Sequence, residues 1–171
     1  MIVYIVIILA VCVLDQLSKL WAMDVIAAAN GVATDGLCEG MSKEIIDGFL
    51  NFTFIKNDGM AFGMLDDKRW IFMVLSTVGI IAMLVYLFYL KGEGKLFCFS
   101  LALVIGGGIG NMFDRVVLGY VVDFIDVRCF DFWYWIFNVA DSAICVGAVL
   151  LFLAAAIDAY REGKNKCQKK Q

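Results

Sequence analysis

Residues 70–90 read WIFMVLSTVGIIAMLVYLFYL, twenty-one residues without a charge. A helix needs about 20 apolar residues to cross the hydrocarbon core of a bilayer. Three further stretches match that requirement, at about residues 2–23, 96–113 and 136–157. Hydrophobic residues make up 63% of the chain and charged residues 18%. Soluble domains sit nearer ~45–50% and ~25%. The chain therefore reads as a membrane α-helical protein: a four-transmembrane-helix bundle, with residues 1–171 as one integral membrane domain. Four spans leave no room for a second domain.

Charge placement orients the bundle. The connection 91–95, KGEGK, carries two lysines, and the tail 161–171 carries five basic residues. Segment 24–69 holds four basic residues in forty-six, and 114–135 holds two. By the positive-inside rule, 91–95 and 161–171 are cytoplasmic, as are both termini. Segments 24–69 and 114–135 then face outward. The apolar run IVYIVIILAVCVL resembles a cleavable signal core, but no basic region precedes it, and Asp15 and Lys19 interrupt the segment. It is expected to stay as the first helix.

The outer segments carry two expectations. FLNFTFI (49–55) is aromatic and β-branched, which suits a strand. Asn57-Asp58-Gly59 then reads as a turn, with a second short strand around Met60–Met64. A small β-sheet on the extracytoplasmic surface follows. Six cysteines show no C-x-x-C spacing, and there is no histidine. No metal site is expected. Cys38 and Cys129 share the outer side, and free thiols are the expectation for both. Beyond the tail there is no basic surface that suggests nucleic acid.

Charged residues inside the apolar stretches point to the chemistry. FWYWIFNVADSAICVGAVLLFLAAAI (132–157) has a single charge, Asp141. Counted from Phe132 it lies about 13 Å along a helix, and nearer the outer surface if the span starts later. An ionised carboxylate there costs at least ~2.5 kcal/mol on insertion scales, so such residues usually mark function. A protonated Asp141 bonding a neighbouring helix is the structural alternative. Asp123 lies among Val121, Val122, Phe124 and Ile125, as a buried or interfacial carboxylate would. Asp126 and Asp131 read as ordinary outer-loop carboxylates. A hairpin of the third and fourth spans brings Asp123 and Asp141 together. Two close carboxylates in a low dielectric share one proton, and this suits peptide hydrolysis. Zinc-dependent and Ser-His protease sites need histidine, which the chain lacks.

Five motifs stand in order across residues 15–141: DQLSK (15–19), NDGMAFG (57–63), GGGIGNMFDR (106–115), VVDF (121–124) and FNVAD (137–141). With them the chain resembles the bacterial lipoprotein signal peptidase family, also called signal peptidase II. The resemblance implies an aspartyl endopeptidase of the bacterial cytoplasmic (inner) membrane. Its substrate would be a prolipoprotein carrying a diacylglyceryl-cysteine, cut on the N-terminal side of that cysteine. It implies Asp123 and Asp141 as the catalytic dyad, no cofactor, inhibition by globomycin-type peptides, and an outer β-cradle. Asp15, Asn57, Gly110, Asn111, Arg115, Asn138 and Ala140 match the family's site positions.

Residue chemistry suggests roles for these. Lys19, four residues after Asp15, shares its helix face and can neutralise it. The pair is expected to tie the first helix to the bundle, away from the chemistry. Asn111 and Asn138 can orient carboxylates by hydrogen bonds. Arg115 is expected to anchor the loop carrying Asp123, through Asp114 or another carboxylate. Gly106 and Gly110 have the spacing of closely packed helices, and Gly110 and Ala140 would leave room for substrate backbone. The protein would meet membrane lipid on its outer faces and work as a monomer. The competing reading is a small proton-coupled transporter using Asp141.

Overall fold

A computed structural model describes residues 1–58, 69–89, 94–129 and 133–168. The strand expected around Met60–Met64, most of the 91–95 connection and Asp131 lie outside these residues. The described chain runs α1 (Ile2–Asn30), β1 (Ser42–Ile46), β2 (Leu50–Asn57), α2 (Arg69–Tyr89), α3 (Lys95–Val117), β3 (Val121–Cys129), β4 (Trp133–Phe137) and α4 (Val139–Gln168).

Among the described residues, three helices are long and apolar enough to cross a membrane: Ile2–Asn30, Lys95–Val117 and Val139–Arg161. Within α2 the apolar stretch is the shorter Met73–Tyr89. α1 continues past the expected end at residue 23. It stops at Gly31, whose φ of 67° lets the Val32 and Gly31 amides bond back to Ala27 and Ala28. That is a glycine-ended Schellman arrangement, which needs a left-handed residue. The outward side of α1 carries Leu9, Leu14, Leu17 and Trp21, each more than half exposed. In water so apolar a face would be a liability, whereas in a bilayer it meets lipid.

α3 is the central helix, and its glycines explain how the others reach it. A side chain at Gly106 would meet Val11 of α1 at 2.9 Å. One at Gly107 would overlap the Ala140 carbonyl of α4 and come within 2.8 Å of Ile144. Close backbone approach of this kind is how helices associate when no hydrophobic force separates protein from lipid. The apolar core beside these contacts is Ile8, Ile80, Leu101, Ala102 and Ile105.

The strands form one antiparallel sheet in the order β1-β2-β3-β4. β2 is the strand expected from FLNFTFI. β3 and β4 come from residues expected to be loop and the start of the fourth span. WYWIF is strand, so α4 begins only at Val139. The sheet packs under the end of α1, where Trp21, Phe52 and Phe124 meet edge to face at 5.3 and 5.6 Å. A bulge between Phe52 and Ile55 shifts the β2–β3 register and sets Ile55 opposite Asp123. Gly119, with φ of 85°, turns the chain from α3 into β3 within three residues.

Gly107→Ala is expected to cost about 1–3 kcal/mol by overpacking the α3–α4 seam. Gly79→Ala, with nothing within 4 Å of the added atom, is the neutral comparison. Equal melting temperatures for the two variants in detergent would show that the seam tolerates the methyl group.

Candidate active site

Two carboxylates meet where β3, α3 and α4 converge. Asp123 lies on β3 and is 3% exposed. Its Oδ2 accepts the Asn57 amide at 2.8 Å, and its Oδ1 accepts the Asn138 amide at 2.7 Å. Asp141 stands in the first turn of α4. Its Oδ1 accepts the Asn111 amide at 2.7 Å, and its Oδ2 accepts the Asn138 backbone N–H at 3.3 Å.

Local helix chemistry produces this arrangement. Asn138 precedes the first residue of α4, and its Oδ1 accepts the Asp141 N–H at 2.8 Å. Asp141 bonds back to the Asn138 N–H, so the two form a reciprocal cap over the helix start. Capping uses the oxygen of the Asn138 amide. Its nitrogen is left to reach Asp123 and, at 3.1 Å, the Asn111 side-chain oxygen Oδ1. One fully buried asparagine thus touches both carboxylates.

Burial drives the Asp123 carboxyl up from 3.8 to about 6, and the nearby Asp141 charge adds to the rise. The Asn57 and Asn138 hydrogen bonds and the Lys19 charge oppose it. Burial and like charge disfavour the ionised form, and donors favour it.

A buried ionic cluster lies directly behind. Lys19 Nζ sits 2.7 Å from both Asp15 Oδ2 and Asp114 Oδ2. It lies 3.4 Å from Asn111 Oδ1. Asp15 Oδ1 accepts the Ala140 N–H at 2.9 Å, one residue before Asp141. Asp114 Oδ2 accepts the Val122 N–H at 3.1 Å, one residue before Asp123. Asp15 and Lys19, expected to lie apart from the carboxylate pair, lie next to it: each carboxylate partner of Lys19 holds the residue beside Asp123 or Asp141.

Other expectations change too. Asp141 is in the first turn of its helix, not about 13 Å along it, because β4 takes up the residues before Asn138. Gly110 and Ala140 leave no substrate room: a side chain at Gly110 would meet Asp15 Oδ2 at 2.9 Å and Ala140 at 3.4 Å. The cation on Asp114 is Lys19, and Arg115 Nη1 donates to the Asn111 carbonyl at 3.2 Å. Asp126 is not an ordinary loop carboxylate. It is buried on β3 and accepts Thr53 Oγ1 at 2.7 Å and Arg128 Nη2 at 2.8 Å. It sits an odd number of residues from Asp123 and so on the opposite face of the strand. Cys38 is a free thiol. Among the described residues no cluster of His, Cys, Asp and Glu has a metal-binding arrangement.

Asn138 as a cap, Gln16 and Thr53 were missed. The spacing Asn138-x-x-Asp141 before an apolar run is itself a helix-start signature. Nothing in the local sequence marks the other two.

Apolar helices around one buried and one half-buried carboxylate define a membrane protein with a polar centre. The comparisons name the family. A family model described as "Signal peptidase (SPase) II" matches residues 7–157. The lipoprotein signal peptidase of Syntrophomonas wolfei is 35% identical over 92% of this chain and 95% of its own. That of Listeria monocytogenes serotype 4b is 39% identical over 91% and 94%. A bacterial membrane enzyme solved by the in meso method at 1.9 Å resolution is 34% identical, with a TM-score of 0.73. It aligns with 90% of this chain and 92% of its own. The chain belongs to the signal peptidase II family. These are peptidases, which sets aside the transporter reading of Asp141.

Lys19→Met leaves Asp15 and Asp114 buried without their cation. The expected loss is about 3–5 kcal/mol, as for other broken buried ion pairs. Denaturant unfolding in detergent micelles measures it, and a loss below 1 kcal/mol would mean that the cluster is not holding the helices together.

Proposed function

We propose that this protein is an intramembrane aspartyl endopeptidase. It removes signal peptides from diacylglyceryl-modified prolipoproteins, cutting on the N-terminal side of the lipidated cysteine. Asp123 and Asp141 are its catalytic dyad. The observation that carries the reading is the shared hold on the two carboxylates, Asn138 bonding both and Asn111 bonding Asp141. Family membership and the names of the relatives support the substrate.

Burial favours a proton on Asp123. Asp141, in the first turn of a helix where negative charge is favoured, is the acceptor. In the reaction Asp141 takes a proton from water as the oxygen attacks the scissile carbonyl. Asp123 donates a hydrogen bond to the carbonyl oxygen as it gains charge. The tetrahedral intermediate collapses as a proton passes to the leaving nitrogen, and both products leave with the dyad back in its one-proton state.

All four helices span the bacterial cytoplasmic membrane, with both termini inside. The sheet lies at the outer surface, where it faces a substrate that enters sideways from the lipid. The enzyme works as a monomer, and a globomycin-type peptide binds across the dyad. Asn57 and Asn111 keep the carboxylates in register, and Arg115 steadies the Asn111 end of α3.

Cleavage of a diacylglyceryl-modified prolipoprotein by purified protein tests the reading. Asp123→Asn and Asp141→Asn should each lower kcat by at least about 10³-fold, the scale of losing an acid–base partner. Asp47→Asn, in the exposed β1–β2 turn, should stay active. Asp126 is unsuited as the control because it is buried and bonded. Near-full activity in either dyad variant would overturn the pairing.

The pH profile follows from the Asp123 proton. Its ordinary value is 3.8 and its folded value about 6. The fold therefore favours the protonated form, and the stability this contributes is present below 3.8 and lost as pH rises through about 6. The reaction needs that proton, so kcat/KM should fall as pH rises through about 6. kcat should hold to higher pH, because bound substrate excludes water and buries the acid further. A kcat/KM that climbs steadily across pH 5–7 would reverse the two assignments.

A further inference from the structure

Gln16 follows Asp15 in α1, in a half-buried position facing the bundle. Its Nε2 donates to Asp114 Oδ1 at 2.7 Å, and lies 3.2 Å from Asp15 Oδ2 and 3.4 Å from the Gly110 carbonyl. An amide nitrogen has two N–H groups to share among these three acceptors. On Asp114 the division of labour is clear. Oδ2 takes Lys19 Nζ and the Val122 N–H. Oδ1 takes Gln16.

That division fixes the rotation of the Asp114 carboxylate. Without a donor on Oδ1, the group can turn that oxygen toward Lys19, and Oδ2 swings off the Val122 N–H. Val122 adjoins Asp123, so the strand then loses its tie to α3 one residue from the dyad. The residue type also fits. Two carboxylates, Asp15 and Asp114, already share one ammonium, Lys19, in a buried place. A carboxylate in the position of Gln16 would add another negative charge, and a cation would compete with Lys19 for the same oxygens. An amide supplies donors without charge.

We infer that Gln16 is a positioning residue: through Asp114 and the Val122 N–H it sets the place of Asp123 against Asp141. The inference rests on the dyad reading above. Its effect falls on the chemical step, because the misplaced group is the acid that acts on the scissile carbonyl as charge develops there, not a group that binds the rest of the substrate. Displacements well under 1 Å are enough to cost an order of magnitude in rate.

Gln16→Met keeps the length without the donor, and Gln16→Glu keeps the shape while replacing the donor with a charged acceptor. On a diacylglyceryl-modified prolipoprotein, Gln16→Met should lower kcat about tenfold with KM within twofold, and Gln16→Glu should lower it further. Both should melt within a few degrees of wild type in the same detergent. Equal kcat for Gln16→Met and wild type would overturn the inference. So would a loss expressed mainly in KM, or unfolding of both variants, either of which makes the side chain a packing or structural element. No cleavage by wild type would instead remove the dyad reading on which it stands.

Discussion

Lys19 sits between two carboxylates in a place with almost no water, and the arrangement of the site follows from that contact. A lone ammonium or carboxylate in a membrane interior carries a desolvation cost of several kcal/mol, so each charge here binds the others. The geometry that satisfies Lys19 draws four elements together. Asp15 comes from α1 itself and Asp114 from α3. The second oxygen of Asp15 holds α4 through Ala140, and an oxygen of Asp114 holds β3 through Val122. Two backbone amides that would otherwise be unpaired at the start of a helix and a strand are thereby satisfied. The cluster bonds each dyad residue's chain neighbour, so it can fix the relative position of the carboxylates without contacting substrate.

Around that cluster the protein uses asparagine and glutamine instead of further charges. Asn138 caps α4 with its oxygen and reaches Asp123 with its nitrogen. Asn111 gives its nitrogen to Asp141, and its oxygen accepts from Asn138. Every bond orients an acid without cancelling its charge. Arginine in these places would pull a carboxylate toward full ionisation. Asparagine in these places leaves the two acids free to share one proton, as the proposed mechanism requires.

Much of this was legible in the sequence, and the failures have physical causes. Apolar runs of bilayer length foretold the helices, and FLNFTFI foretold β2, because both signals are local. The carboxylates at 123 and 141 stood out because each lies among apolar neighbours. The placement of WYWIF went wrong because a short aromatic run before a helix suits a strand and a span equally well, and only pairing with β3 decides. The proximity of Lys19 to Asp114 was not readable, since ninety-five residues separate them. Gly110 was taken to leave space for a ligand. A missing side chain in sequence does not say what fills the gap, and here the Asp15 carboxylate does.

A segment as apolar as 132–157 keeps one carboxylate because that carboxylate is at the segment's structural edge. Asp141 stands where β4 has ended and α4 has just begun, so its oxygens find N–H groups that no earlier helical turn could use. Deeper in α4 every backbone N–H is already bonded within the helix, and a carboxylate would have only side chains to turn to. The same edge brings the sheet, and with it Asp123, alongside. Burial there raises the Asp123 carboxyl to about 6, and the nearby Asp141 charge adds to the rise. Asp123 on β3 and Asp141 in the first turn of α4 are thus held beside each other, with Asn138 at the helix start bonding both.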